Sequence, residues 1–171
     1  MEYTRFPGVP LKPLEHLSFG FDGCKYKQKY INFVFMEMIY DPLRRKDVPL
    51  TPEERVRQWF IELLRSSAGV PLHQMMSEVS LQYGSGKNWR ADIVIYGHGG
   101  VPMGVVECKR PDVEITKEVL EQALRYNAVL NVPFLFLTNG HLTYICRRSG
   151  EGYDFLDKAP VYDEMIEQCR Q

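Results

Sequence analysis

Hydrophobic and polar positions alternate most clearly in the middle of the chain, where they predict a β-hairpin. Two apolar runs rich in β-branched residues, Ile93–Tyr96 and Met103–Val106, stand on either side of the turn His98-Gly99-Gly100. Short apolar runs joined by a glycine turn are typical of two antiparallel strands. A loop of either two or four residues centred on the glycines gives the same pairing of the two strands.

Three charged residues occupy hairpin positions where apolar ones are expected. The predicted pairing places Asp92 directly opposite Glu107, and directly opposed residues share a face with Cβ atoms about 4.5–5.5 Å apart. Lys109 lies two residues beyond Glu107, so strand periodicity puts it on that face as well. Ionised groups in apolar surroundings are costly unless they are paired or bind a metal. The hairpin is therefore a candidate metal-dependent site.

The pattern on either side of the hairpin predicts two helices and three more strands. One helix begins at the N-cap Thr51, with proline next and Glu54 at the third position to complete a capping box. Its apolar residues recur at helical spacing: Val56, Trp59, Phe60, Leu63 and Leu64. The other elements are a strand at 76–83, a helix at 116–130 and strands at 133–137 and 142–146. This order predicts an α/β or α+β fold with a mixed β-sheet flanked by helices.

The ends of the chain have a weaker pattern. Before residue 41 we predict an irregular arm and two strands, Phe19–Phe21 and Tyr30–Tyr40, the second of them a buried edge strand. We predict a single domain in three parts: an N-terminal arm and hairpin at 1–50 packed on the core, the core at 51–148, and an acidic, weakly helical tail at 149–171.

Composition narrows the class of protein further. With 171 residues, of which 44% are hydrophobic and 25% charged, the chain is typical of one soluble globular domain. Its four cysteines are scattered without a C-x-x-C pair, which favours a reducing, cytoplasmic setting over a zinc ribbon or a disulfide scaffold. We expect no signal peptide, because the first residues contain no long apolar run, and no apolar run reaches the roughly 20 residues that span a membrane. A net charge of −1 permits a nucleic-acid partner without requiring one.

In this order of elements, Asp92 followed by the triplet Glu107-Cys108-Lys109 resembles the PD-(D/E)XK nuclease superfamily. The closer resemblance is to the N-terminal nuclease domain of type I restriction enzyme restriction (R) subunits and to stand-alone proteins built from it. The matching stretches run from about residue 41 to residue 148: Asp41-Pro-Leu-Arg-Arg-Lys46, Thr51-Pro-Glu-Glu-Arg-Val-Arg-Gln58, Glu78-Val-Ser-Leu81, Glu107-Cys-Lys-Arg-Pro111, Gln122-Ala-Leu-Arg-Tyr126 and Thr138-Asn-Gly140. Ala91 stands where the superfamily's name has proline.

The resemblance implies a restriction-endonuclease-like fold and a metal-dependent DNA endonuclease. Asp92 and Glu107 would bind Mg²⁺ or Mn²⁺, ions that prefer hard oxygen ligands, and Lys109 would be the catalytic lysine. Three further matches complete the implied site: Glu54 in the first helix, and Gln122 and Tyr126 of a Q-x-x-x-Y motif in the second. The implied partners are DNA and either a second copy of the chain or a larger restriction complex, with no membrane.

Each assignment has an alternative that the sequence leaves open. Asp92, Glu107 and Lys109 would also form a structural ion-pair cluster, and the helix cap alone would explain Glu54. Glu78 is a possible further metal ligand, although a solvated charge at a strand end is the expectation. Arg44-Arg45-Lys46 is expected to be a solvated turn. For the whole protein, the alternatives are a DNA-binding or assembly module with little activity and a structure-selective repair nuclease.

Overall fold

A computed structural model describes residues 37–83, 87–150 and 152–169. The strands are β1 (Met38–Asp41), β2 (Lys46–Pro49), β3 (Met75–Tyr83), β4 (Lys87–Tyr96), β5 (Pro102–Cys108), β6 (Phe134–Thr138), β7 (Thr143–Ser149) and β8 (Gly152–Phe155). The helices are α1 (Pro52–Ser66), α2 (Lys117–Leu130) and α3 (Tyr162–Gln168). No helix among these residues is long and apolar enough to cross a membrane.

The larger sheet has six strands in the order β3-β4-β5-β6-β7-β8, and β1 pairs only with β2. Neighbouring strands of the larger sheet are antiparallel except β5 and β6, which run parallel. A parallel pair needs a long crossover connection, and α2 lies in that connection. The fold is thus the predicted α/β arrangement of a mixed sheet flanked by helices.

Two apolar cores lie on the two sides of the sheet. Along β6, Phe134 and Phe136 belong to the core that contains α1, whereas Leu135 and Leu137 belong to the core that contains α2. This alternation follows from the two-residue period of a strand. All five residues of β6 are buried. This agrees with the prediction of a central strand, which was made from the continuous apolar run.

The connection between β4 and β5 has five residues, so both predicted loop lengths, two and four residues, are wrong. It runs over 97–101, with a short 3₁₀ turn in which Gly99 and Gly100 have φ of 76° and 75°. Tyr96 pairs with Pro102, and a shift next to Ile95 then restores the predicted register along the rest of the strands. The bulge therefore absorbs the extra residue before the charged positions are reached.

The ends of the described chain differ from the sequence expectation. Of the predicted strand Tyr30–Tyr40, only residues after 36 lie within the described part, and the strand Phe19–Phe21 lies outside it. Tyr40 is exposed, so a buried edge strand is wrong there. Residues 152–169 form β8 and α3, and Met165 and Ile166 are buried in the core that contains α1. This part of the acidic segment therefore packs on the sheet.

Helix α1 begins as the sequence predicts, but only half of the capping box forms. Thr51 Oγ1 accepts a hydrogen bond from the Glu54 N–H at 3.0 Å. In a complete capping box the Glu54 carboxylate would also accept the Thr51 N–H. Here the carboxylate instead accepts hydrogen bonds from Arg44, Arg57 and Gln58. The capping explanation of the Glu54 side chain is therefore wrong, and its carboxylate belongs to an ion network instead.

Thr51→Ala tests the half of the cap that is present. Because the substitution leaves one N–H of the first turn without its acceptor, we expect the free energy of unfolding to fall by about 1 kcal/mol. Urea unfolding followed by circular dichroism measures the change. Thr51→Ser keeps the hydroxyl and serves as the control; an equal loss in both variants would contradict the cap.

Candidate active site

Three acidic residues lie in a row across β3, β4 and β5. The register of β3 and β4 on both sides of Glu78 sets it opposite Asp92. The pairing of β4 and β5 ends at Ile93 and Val106, and this is the register that the hairpin pattern predicted. Asp92 and Glu107 are the next residues beyond that pair on the two strands. Like charges directly opposed in neighbouring strands are destabilising, so this row requires cations close by.

Arg57 of α1 is the cation between Glu78 and Asp92. Its Nη1 lies 2.6 Å from both Glu54 Oε2 and Glu78 Oε1, and its Nη2 lies 2.6 Å from Asp92 Oδ1. The side chain is only 5% exposed. Burial by itself would lower the pKa of Arg57, but the charges of Asp92, Glu54 and Glu78 outweigh it and raise the pKa. The guanidinium is therefore permanently charged.

Sequence reasoning missed Arg57, although a signal was present. Arg57, Phe60, Ile61 and Leu64 share one face of α1 at helical spacing, and all four are buried. A charged residue on an otherwise buried apolar face has to find partners of opposite charge. By this rule the sequence alone marks Arg57 as a residue that binds acidic side chains in the folded protein.

Glu78 is a member of this network, so its predicted role as a solvated strand-end charge is wrong. Its Oε2 lies 2.5 Å from Arg90 Nε, in addition to the contact with Arg57. The backbone of Glu78 has φ 57°, a left-handed conformation that costs a non-glycine residue about 1–3 kcal/mol. The two ion pairs help to hold this conformation in the strand.

Arg44 extends the network toward β1, and the expected solvated turn is wrong for this residue. Arg44 Nη2 lies 2.5 Å from Glu54 Oε1, and its Nε donates to Asp41 Oδ2. Asp41 is fully buried and also accepts the N–H groups of Leu43 and Arg44. Burial would raise the pKa of Asp41, but the bonds from Arg44 and Leu43 lower it. Arg45 and Lys46 are exposed.

Glu107 and Lys109 form a separate pair at the end of β5. Lys109 Nζ donates to Glu107 Oε1 at 2.7 Å, whereas Glu107 Oε2 is buried without a hydrogen-bond partner in the described part of the chain. Burial and the charge of Asp92 raise the pKa of Glu107 against the opposing effect of Lys109. Among the described residues, Lys109 therefore pairs with one oxygen of Glu107, and no hydrogen-bond donor contacts the other, Oε2.

Asp92 stands between the two groups. Oδ1 accepts from Arg57 and Oδ2 accepts the Cys108 N–H at 2.6 Å. An ionised carboxylate has about four lone-pair sites on its two oxygens, so acceptor capacity remains on each oxygen. The two hydrogen bonds fix the orientation of the carboxylate beside Glu107.

A hard divalent ion fits the side of this site where Glu107 Oε2 lacks a partner. In residues 37–83, 87–150 and 152–169 no three His, Cys, Asp or Glu side chains are arranged to hold a metal. Mg²⁺, however, is usually bound by one or two carboxylates and keeps several waters. Asp92 and Glu107 provide such a pair of carboxylates.

The remaining predicted site residues are Glu54, Gln122 and Tyr126. Glu54 contacts Asp92 only through Arg57. Gln122 and Tyr126 lie one turn apart on α2, the helix between β5 and β6. Their side chains lie outside the described part of the structure. The structure thus brings together Asp92, Glu107 and Lys109.

The fold is similar to part of one solved structure. The structure is similar to a fragment of a putative HsdR subunit of a type I restriction enzyme from Vibrio vulnificus YJ016, with a TM-score of 0.52 and 20% identity. The similarity covers 68% of this chain and 25% of the fragment.

The family follows from the sequence match. A family model described as type I restriction enzyme R protein N terminus matches residues 52–160, so the chain belongs to this family, as the motifs indicated. The type I restriction enzyme EcoAI endonuclease subunit of Escherichia coli is 36% identical over 78 residues. That match covers 46% of this chain but only 8% of the subunit.

Proposed function

We propose that this chain is an Mg²⁺- or Mn²⁺-dependent endonuclease that hydrolyses phosphodiester bonds in DNA. The observation that carries the proposal is the buried Oε2 of Glu107 beside Asp92, which has no hydrogen-bond partner in the part of the chain that the structure describes. Lys109 binds the other oxygen of Glu107. An acidic pair short of positive charge is suited to a divalent ion. A structural ion-pair cluster alone would leave this oxygen unexplained.

Each residue has a separate role in the proposal. Asp92 and Glu107 hold the ion, which when bound supplies an acidified water and neutralises charge on the phosphate. The Glu107 contact raises the pKa of Lys109 despite its burial, so Lys109 stays positively charged and stabilises the charge that develops on the phosphate. Glu54 is a positioning residue that acts through Arg57. Gln122 and Tyr126 are proposed to hold a phosphate oxygen or Lys109.

The family suggests the wider setting. The curated relative is the endonuclease subunit of a type I restriction enzyme, so we propose that this chain acts on DNA within such a restriction complex. Nothing in the described residues favours the alternative homodimer. The cytoplasmic location stays a prediction.

Cleavage of supercoiled plasmid tests the proposal. We expect nicked or linear product with Mg²⁺ or Mn²⁺, none with EDTA, and none from Lys109→Ala, since the charge that develops on the phosphate would then lose its stabilisation by the lysine. Lys158→Ala removes an exposed lysine of the same protein and is expected to cut like the wild type. Equal cutting by wild type and Lys109→Ala would contradict the mechanism.

One observation favours the second candidate, a DNA-binding or assembly module without activity. Arg57 already neutralises much of the charge on Asp92, so the carboxylate is stable without a metal. Gel shifts in Ca²⁺ separate the two candidates. Tight, salt-sensitive binding without cleavage in any metal would favour the module, and preferred cutting of branched DNA would indicate a structure-selective nuclease.

A further inference from the structure

The two sides of Asp92 are not equivalent. On one side stands Glu78, and a guanidinium bridges the two carboxylates with contacts of 2.6 Å each. On the other side stands Glu107, whose Oε2 is buried and has no hydrogen-bond partner among the described residues. Within the described residues, Glu78 and Asp92 therefore share the guanidinium of Arg57. At Glu107 the cation is Lys109, which binds Oε1 and leaves Oε2 without a partner.

We propose that Arg57 takes the place of a second metal ion, so that the site binds one divalent ion per chain, between Asp92 and Glu107. This inference rests on the proposed metal-dependent function and refines it. Two-metal nucleases hold two ions about 3.5–4 Å apart, which stabilise the attacking and the leaving oxygens. An acid that stands between two other acids could contact an ion on either side. Here that acid is Asp92, and its Oδ1 faces the guanidinium.

Arg57 is suited to replace an ion permanently. It contacts three carboxylates, those of Glu54, Glu78 and Asp92, at 2.6 Å each, as a metal with three monodentate ligands would. An arginine side chain does not lose its proton in a protein, so the place stays occupied by positive charge at every working pH. A metal ion entering there would have to displace a side chain that is 95% buried, since only 5% is exposed.

The charge of Arg57 does not prevent metal binding on the Glu107 side. The group of ion pairs around it carries no net charge, because three arginines, Arg44, Arg57 and Arg90, are paired with three acids, Asp41, Glu54 and Glu78. A divalent ion beside Glu107 is therefore not opposed by net positive charge from this group. The ion would find Asp92 held in place by its bonds from Arg57 and the Cys108 N–H.

Counting Mn²⁺ ions in the full chain tests the inference. The electron paramagnetic resonance signal of free Mn²⁺ during a titration gives the number bound and their affinity without any DNA or cleavage. We expect one ion per wild-type chain that depends on Glu107. Glu107→Gln and Glu78→Gln are matched variants, since each makes the same isosteric change on one side of Asp92.

The two variants should separate clearly. Glu107→Gln is expected to weaken this Mn²⁺ site by at least tenfold, because even supporting residues of a metal site typically contribute about 10–100-fold to affinity. Glu78→Gln is expected to keep one ion with little change in affinity, because Glu78 contacts Arg57 and Arg90 rather than the ion. Circular dichroism verifies that each variant is folded.

Each other outcome overturns a defined part of the argument. Two Mn²⁺ ions per wild-type chain that are both lost in Glu107→Gln would overturn the single-ion inference, and this count requires no Glu78 variant. Loss of Mn²⁺ in Glu78→Gln as complete as in Glu107→Gln would overturn it as well. In both cases the metal-dependent function stands. A wild-type chain that binds no Mn²⁺ would overturn the proposed function and the inference together.

Discussion

Glu107→Gln is expected to reduce metal-dependent DNA cleavage by at least a hundredfold while leaving the protein folded. Residues that merely support a metal ligand contribute about 10–100-fold to affinity or activity, and Glu107 is proposed to bind the ion directly. The amide keeps the size of the side chain but loses the charge that attracts a divalent ion. Initial rates of plasmid nicking at several Mg²⁺ concentrations measure the loss.

The fold should survive Glu107→Gln because two effects oppose each other. The variant weakens the contact with Lys109, but it also removes the like charge next to Asp92 and the cost of burying an ionised carboxylate. We therefore expect the urea midpoint to change little. A variant that keeps wild-type cleavage would contradict the metal site, and one that unfolds would show that Glu107 is a structural residue.

Arg57→Met is expected to lower the free energy of unfolding by about 3–5 kcal/mol, the range for removing one partner of a buried ion pair. The methionine fills a similar space but leaves Glu54, Glu78 and Asp92 close together without their shared cation. Stability changes of this size are uncommon for single substitutions. Urea unfolding followed by circular dichroism and by tryptophan fluorescence measures the effect.

Arg65→Met is the matched control on the same helix. Arg65 also pairs with a glutamate, Glu62 at 2.7 Å, but both side chains are about half exposed. Solvent screens such a pair and its two side chains lose conformational freedom, so its contribution is small. A similar loss of stability in both variants would contradict the importance of the buried network.

The sequence was sufficient to predict the hairpin half of the site. A strand has a period of two residues, so a single register fixes which residues face each other. The predicted register agrees with the observed pairing of Ile93 with Val106, although the predicted turn was wrong. A bulge near the turn takes up the extra loop residue, so the pairing farther along the strands stays the same.

The sequence carried a signal for Arg57 itself, but it could not show which acids Arg57 binds. Arg57 and Asp92 lie 35 positions apart, and their contact depends on how α1 packs on the sheet. Glu54 shows the competition directly: a local rule assigned its carboxylate to the helix cap, but Arg44 and Arg57 bind it in the folded chain. Charged partners brought together by packing outweigh a single capping bond.

The fold was predictable where apolar periodicity is strong. Helix α1 and strand β6 are the clearest examples. Strand β2 has only four residues and begins with two charged ones, Lys46 and Asp47, so no alternation marks it. Helix α3 has acids in its first turn, and these hide the spacing of Tyr162, Met165 and Ile166, which is that of a buried helical face.

The ion network and α3 also determine how far the chain can be shortened. The family match starts at residue 52 and ends at 160. Arg44 lies before the matched residues but binds Glu54 within them. After it, the Tyr162 N–H donates to Ala68 O at 2.7 Å, and Met165 is fully buried. A piece trimmed to the matched residues would lose these contacts from both ends. The shortest piece expected to fold and cleave therefore starts before Asp41 and ends after Ile166.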